Sequence, residues 1–226
     1  RLQDGDVHGH SVVVGPDRYP WRHTGWRGRP WQDSVIYEAH AGLCGGYAGL
    51  RRRLPEVARL GVTLLELMPI ADFPGPRNWG YDGVLPYAPD TAYGTPDELK
   101  ALIDAAHGLE MGVMLDVVYN HFGPDGNYLH RYAADFFDAR ADTPWGAAID
   151  YRQQAVQRYF IDNALYWLRK YRFDGLRLDA VHAMGRTDWL AGLAREARAA
   201  QAPAALLARA LGEGYVYQGQ AAPTRG

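Results

Sequence analysis

Gly175-Leu176-Arg177-Leu178-Asp179-Ala180-Val181-His182 decides how this chain is read. The stretch is apolar at nearly every position and reads as a short buried strand. Side chains alternate along a strand, so Arg177 and Asp179 leave the same face one step apart. A guanidinium and a carboxylate in such a strand are costly unless they pair with each other and with something else. A carboxylate beside a permanent cation stays ionised at neutral pH, which is the state a carboxylate nucleophile needs. A structural ion pair that pins one strand is the alternative.

Working outward, three more strands precede it. Ser34-Val35-Ile36-Tyr37-Glu38-Ala39-His40 is the first, Val62 to Met68 the second, and Gly112-Val113-Met114-Leu115-Asp116-Val117-Val118-Tyr119-Asn120 the third, with a carboxylate inside it. Helical spacing joins them. Leu50, Leu54, Val57, Ala58 and Leu60 form one stripe, closed by Gly61. Thr95-Pro96-Asp97-Glu98 has the cap, first-turn proline and acidic start of a second helix, which carries Leu99, Leu102, Ile103, Ala106 and Leu109 inward. Gln154 to Tyr171 is a long helix with Val156, Phe160, Ala164, Leu165, Trp167 and Leu168 on its apolar side, and Asp188 to Ala200 is a fourth. Long irregular loops follow the second strand (Phe73 to Val84) and the third (His121 to about Asp150). Residues 1–30, rich in Gly, Pro, His, Arg and Trp, read as a linker or the tail of a preceding module, with Val12-Val13-Val14 as one short strand.

Strand and helix repeat, and the strands are apolar runs rather than alternations. That pattern implies a parallel sheet with helices on its outer face, an α/β fold of the (β/α)8 TIM-barrel kind. In such a barrel the long strand-to-helix loops gather at one end and build the site. Asp116, Asn120, Arg177, Asp179 and the Trp79–Tyr81 loop all belong to that end.

At this point the sequence resembles the α-amylase family of glycoside hydrolases. Asp116-Val117-Val118-Tyr119-Asn120-His121 looks like its first signature region, and Gly175 to His182 like its second. Asn78-Trp79-Gly80-Tyr81-Asp82-Gly83-Val84, Tyr119 to Leu129 and Leu178 to Ala183 resemble its trehalose-releasing members. The resemblance implies a retaining cut of the α-1,4 bond next to the terminal trehalose of maltooligosyl trehalose or a related α-glucan. It makes Asp179 the nucleophile, Arg177 the arginine that keeps it ionised, and Asp116 the aspartate that supports that arginine. His121 would hydrogen-bond the sugar at the cleavage point and Tyr81 would stack under it; Trp79, Asn120 and His182 are further substrate-binding candidates. The plainer readings are that Asp116 only satisfies Arg177, that His121 caps its strand, and that Trp79 and Tyr81 anchor their loop.

A retaining glycosidase also needs a second carboxyl group roughly 5–5.5 Å from the nucleophile. The family places a glutamate at the end of the next strand, and no such strand is legible. Instead Ala204 to Gly219 resembles a helix that the family carries later, and Glu213, beside the glycines that end it, is not assigned as the acid. A complete barrel takes ~250 residues. The barrel is therefore expected to be incomplete over residues 31–226, part of a larger protein, and without turnover by itself. A branching enzyme of the same family and a non-catalytic glucan-binding remnant are the alternatives.

Composition excludes other classes. A net charge of -2 gives no electrostatic case for nucleic acid or an anionic membrane. Cys44 is the only cysteine, which fits a reducing, cytoplasmic compartment. No long apolar run, phosphate loop, dinucleotide fingerprint or metal cluster stands out, so neither a cofactor nor a metal is expected. Oligomeric state is not legible.

Overall fold

The computed structural model describes residues 2–15, 18–184 and 186–199, and the backbone of 200 and 205–208. In chain order the elements are β1 (Ile36–Ala39), α1 (Gly46–Arg59), β2 (Leu64–Leu67), β3 (Ala71–Asp72), β4 (Leu85–Pro89), α2 (Pro96–His107), β5 (Gly112–Val117), α3 (Leu129–Tyr132), β6 (Phe137–Thr143), β7 (Gly146–Ile149), α4 (Gln154–Lys170), β8 (Gly175–Leu178), α5 (Leu190–Ala200) and β9 (Ala205–Ala208).

The main sheet has five strands in the order β1-β2-β5-β8-β9, and every pairing is parallel. Spatial order equals chain order, and a helix lies between each strand and the next. The register places Glu38 opposite Glu66 and Asp116 opposite Arg177, so these charged residues share one face. The alternate residues Leu65, Leu67, Val113, Leu115, Leu176 and Leu178 are fully buried on the other face. There they join Leu50 and Leu54 of α1, Leu102 and Ile103 of α2, Phe160 and Leu168 of α4, and Leu193 of α5 in one core. The helices thus cover a single face, as in a barrel; a doubly wound sheet would be covered on both. A buried Leu is worth roughly 1.5–3 kcal/mol over an exposed one, so the outer face fixes strand register.

Local signals explain much of this. Thr95 caps α2 reciprocally: the Glu98 N–H donates to Thr95 Oγ1 at 3.2 Å, and the Thr95 N–H to Glu98 Oε2 at 2.8 Å. The long helix α4 buries every residue assigned to its apolar side. Part of residues 1–30 docks on the end of the sheet away from the site. The backbone N–H groups of Arg22 and His23 donate to Asp104, and the Trp26 indole donates to Asp174 at 2.6 Å while stacking on the buried His107.

Four expectations are corrected. Residues 205–208 are a strand on β8, not part of a helix, so the sheet has a fifth strand. Unpaired backbone along β8 favours an added strand over the helical preference of alanine and leucine. Glu213 and the rest of that run lie outside the described residues. Val12 to Val14 form no strand; the only pairing there is a bridge from Gln3 to Ser11, and Val13 is fully exposed. Leu109 is not inward but exposed, because α2 ends at His107. Leu60, likewise beyond its helix, is exposed.

Candidate active site

Strand β8 delivers Arg177 to the inner face, and its ladder extends one step further, where the Asp179 N–H donates to the Val117 carbonyl at 3.0 Å. The next residue, Ala180, takes φ 41°, a left-handed conformation that costs a non-glycine residue roughly 1–2 kcal/mol. The backbone turns there into the 3₁₀ turn Val181–Met184, leaving Asp179 at the strand's end.

The guanidinium Nη1 of Arg177 lies between two carboxylates. It bonds Asp116 Oδ2 and sits 2.9 Å from Asp179 Oδ1. The Asp116 side chain is wholly buried, whereas that of Asp179 is about one-fifth exposed. Of the two, Asp179 is therefore the one open to a reactant. Tyr81, from the loop between β3 and β4, donates its hydroxyl to Asp116 Oδ2 at 3.0 Å. Gly80 makes that loop possible: its φ is +96° and a Cβ there would sit 2.0 Å from the Pro69 carbonyl oxygen.

Asn120 follows β5 and is buried. Its Nδ2 donates to the Asp179 carbonyl at 3.0 Å and to the Asp179 carboxylate at 3.3 Å, while its Oδ1 accepts from His121 Nδ1. Both ends of the amide are used inside the protein, so in this geometry Asn120 positions Asp179 and His121. The His121 ring is buried and stacks on Trp145, with centroids 5.6 Å apart. Trp79 is 61% exposed, edge-on to His40. His182 is exposed on the turn after Asp179.

Burial dominates the electrostatics. It pushes the Asp116 carboxyl up, with Arg177 and the Tyr81 hydroxyl opposing and the Asp179 charge adding to it. Burial likewise raises the Tyr81 phenol, which therefore stays protonated and able to donate. It lowers the His121 imidazole, against the opposing effect of the Tyr81 backbone and Asp179, so that ring is neutral at pH 7. Arg177 is raised: the Asp116 and Asp179 charges outweigh the cost of its burial.

Sequence-chosen Asp116, Asn120, His121, Arg177, Asp179 and Tyr81 are linked by direct contacts. Trp79 and His182 are exposed and are not joined to that group by these contacts. Three neighbours were not foreseen. Trp145 reaches His121 from the turn between β6 and β7, where the sequence is polar and gave no strand signal. Glu38 and Glu66 bring carboxylate oxygens within 4.8 Å of Asp116 and of each other. Their signal lay in the strand register, which places each on the inner face. Three carboxylates could hold a cation, yet Arg177 already supplies positive charge beside Asp116.

Residues 3–145 match the family described as alpha amylase, catalytic domain. A malto-oligosyltrehalose trehalohydrolase from Deinococcus radiodurans is 48% identical over 201 residues, which is 86% of this chain and 33% of that protein. The 1,4-alpha-glucan branching enzyme GlgB of Photobacterium profundum is more distant, 34% identical over 79% of this chain and 28% of its own length. Among solved structures, the type I pullulanase of Bacillus subtilis complexed with maltose superposes with a TM-score of 0.81 at 25% identity, covering 98% of this chain and 36% of that one. The chain spans about a third of the length of the curated relatives it matches.

Proposed function

Because this chain belongs to the α-amylase catalytic-domain family and carries a partial TIM barrel of that type, we propose that it forms the nucleophile-bearing part of a retaining glycoside hydrolase. The bond cut is the α-1,4 linkage next to the terminal trehalose of maltooligosyl trehalose, and trehalose is released. One observation carries the reading: a single guanidinium nitrogen, Arg177 Nη1, is shared by the buried Asp116 and the accessible Asp179. The name of the relative at 48% identity supports trehalose as the leaving group over branching transfer.

In this mechanism an Asp179 oxygen attacks the anomeric carbon. A glycosyl ester forms as the glycosidic C–O bond breaks, and the electron pair leaves with the trehalose oxygen. Arg177 aims Asp179, 2.9 Å from its Oδ1, and Asn120 fixes its orientation through two hydrogen bonds. Neutral His121 offers a hydrogen bond to the sugar, and the Tyr81 ring a face to stack on. Trp79 and His182 extend the contacts at the rim. The leaving oxygen takes its proton from a carboxylic acid, and water then hydrolyses the ester; that acid is assigned to no described residue. Residues 1–30 serve as a linker or tail to the barrel domain of 31–226, and the single cysteine supports a cytoplasmic setting. Among the described residues no helix is long and apolar enough to cross a membrane.

The test avoids the acid. Fluoride departs without protonation, so an α-maltosyl fluoride deactivated by a second ring fluorine should leave its sugar on Asp179. Mass spectrometry of peptides is expected to find one glycosyl group there, and none in Asp179→Asn. A label elsewhere, or no label, overturns the assignment. Tighter binding of maltooligosyl trehalose than of a maltooligosaccharide of equal length is expected by calorimetry, and the reverse order removes trehalose from the reading.

A further inference from the structure

Residues 2–12 fold back on themselves beside the loops of the central site. The Asp4 N–H donates to the His10 carbonyl and the Val12 N–H to the Leu2 carbonyl, both at 2.9 Å. The tip of this turn, Asp6-Val7-His8, meets two loops at once. Asp6 Oδ2 accepts from the Gly75 N–H at 3.2 Å, in the loop that carries Tyr81. His8 Nε2 lies 3.4 Å from Asp125 Oδ2, in the loop that carries His121; both side chains are about half exposed, and that pair contributes little.

Between those contacts Val7 is buried, at 7% exposure. It is seated on Gly126, where an added Cβ would come within 2.8 Å of Val7 Cγ2 and 3.1 Å of Val84 Cγ2. Gly126 also holds φ +89°, so both its bare Cα and its backbone suit the seat. Val84 is buried as well and closes the Tyr81 loop, its N–H donating to the Asp72 carbonyl at 2.8 Å. Three segments far apart in sequence therefore meet in one apolar contact, and two of them carry side chains of the central site. The same two loops also touch where the Gly123 N–H donates to the Gly83 carbonyl at 3.1 Å. Residues 73–84 and 118–128 contain no strand or helix, so packing rather than a hydrogen-bond ladder sets their spacing.

We propose that Val7 is a positioning residue of the central site: wedged against Val84 and Gly126, it sets the distance between the Tyr81 loop and the His121 loop. The effect reaches the reacting group through two chains of contact. Tyr81 holds Asp116 Oδ2, and His121 is bonded to Asn120, whose amide holds Asp179. Without the wedge the two loops drift relative to each other, and Asp116 and Asp179 lose their mutual alignment while the fold persists. The assignment rests on Asp179 as the nucleophile, and it gives residues 2–12 a part in the reaction beyond that of a linker.

Two measurements on the full chain test it. In Val7→Ala, the rate constant with which the deactivated α-maltosyl fluoride labels Asp179 should fall roughly tenfold, while the half-saturating sugar concentration changes far less, because misplacement acts first on the bond-forming step. Val7→Ile should restore most of the rate. Hydrogen–deuterium exchange in Val7→Ala should quicken by roughly fivefold in peptides from both 73–84 and 119–128 and stay unchanged in 96–107. Asp6→Ala, which frees the Gly75 N–H, should slow labelling and quicken exchange in 73–84 alone. Unchanged labelling in Val7→Ala, an equal loss in Val7→Ile, or faster exchange confined to residues 2–12 overturns the positioning role and leaves the assignment of Asp179 intact. Where circular dichroism shows Val7→Ala unfolded, Asp6→Ala carries the test, and labelling at the parent rate overturns the proposal. A parent chain that takes no label overturns the nucleophile and the proposal together.

Discussion

Replacing Arg177 by methionine removes the one cation between two carboxylates and keeps most of the aliphatic volume. Asp116, whose side chain is wholly buried, then retains only the Tyr81 hydroxyl as a donor, and Asp179 only the Asn120 amide. Breaking a buried ion pair by deleting one partner costs about 3–5 kcal/mol. With a urea slope near ~2 kcal/mol/M for a chain of this size, the midpoint should fall by about 1.5–2.5 M. Asp116→Asn should cost less, about 1–3 kcal/mol, because an amide still accepts from Tyr81 and Arg177 keeps Asp179. The double variant should be more stable than the sum of the two losses predicts by about 2 kcal/mol, since the second change removes a charge that the first left stranded. Equilibrium urea denaturation followed by circular dichroism measures all three. Additivity to within about 0.5 kcal/mol would refute the claim that the two side chains act as one unit.

Three further outcomes are expected. Burial, then the neighbouring Asp90 charge, raises the Asp72 carboxyl to about 7 from an ordinary 3.8, so the folded state binds its proton more tightly than the unfolded chain does. The stability this confers is fully present below about pH 4 and lost as pH rises through about 7; Asp72→Asn should flatten that slope, a difference of at most about 4 kcal/mol in denaturation at a series of pH values. Trp26→Phe keeps the ring over His107 but deletes the donor to Asp174, and should lower stability by about 1.5–3 kcal/mol in urea, with no change in sugar binding measured by calorimetry. Gly80→Ala forces a Cβ against the Pro69 carbonyl at a positive φ, and should cost about 1–3 kcal/mol and weaken maltoheptaose and maltose alike, because Trp79 and Tyr81 move together.

The parts of the fold that were legible are those where local chemistry and tertiary packing agree. Leu64 to Leu67 and Gly112 to Val117 are buried on both faces, because one face meets helices and the other the sheet interior, where Glu66 and Asp116 are the charged exceptions. Strand alternation alone put Arg177 and Asp179 on one side, and the register adds Asp116. Where the two disagreed, the sequence misled. Ala205 to Ala208 has helix-forming residues, yet the free edge of β8 decides its conformation. The β6–β7 hairpin is rich in Asp, Arg, Ala and Thr and has no alternation to betray it, so Trp145 could not be placed over His121 in advance. The docking of Trp26 on Asp174 spans 148 positions and leaves no mark in local composition.

In the mechanism proposed for Asp179, the sharing of one Arg177 nitrogen by both acids has a consequence for the covalent intermediate. While Asp179 carries its charge, Asp116 must compete for the donor. Once Asp179 is esterified, the rival vanishes and the guanidinium falls wholly to Asp116, so the cation never stands alone at the moment its first client is neutralised. In that scheme the buried acid is a ballast, holding the guanidinium while the ester stands and sharing it again when the ester is cleaved.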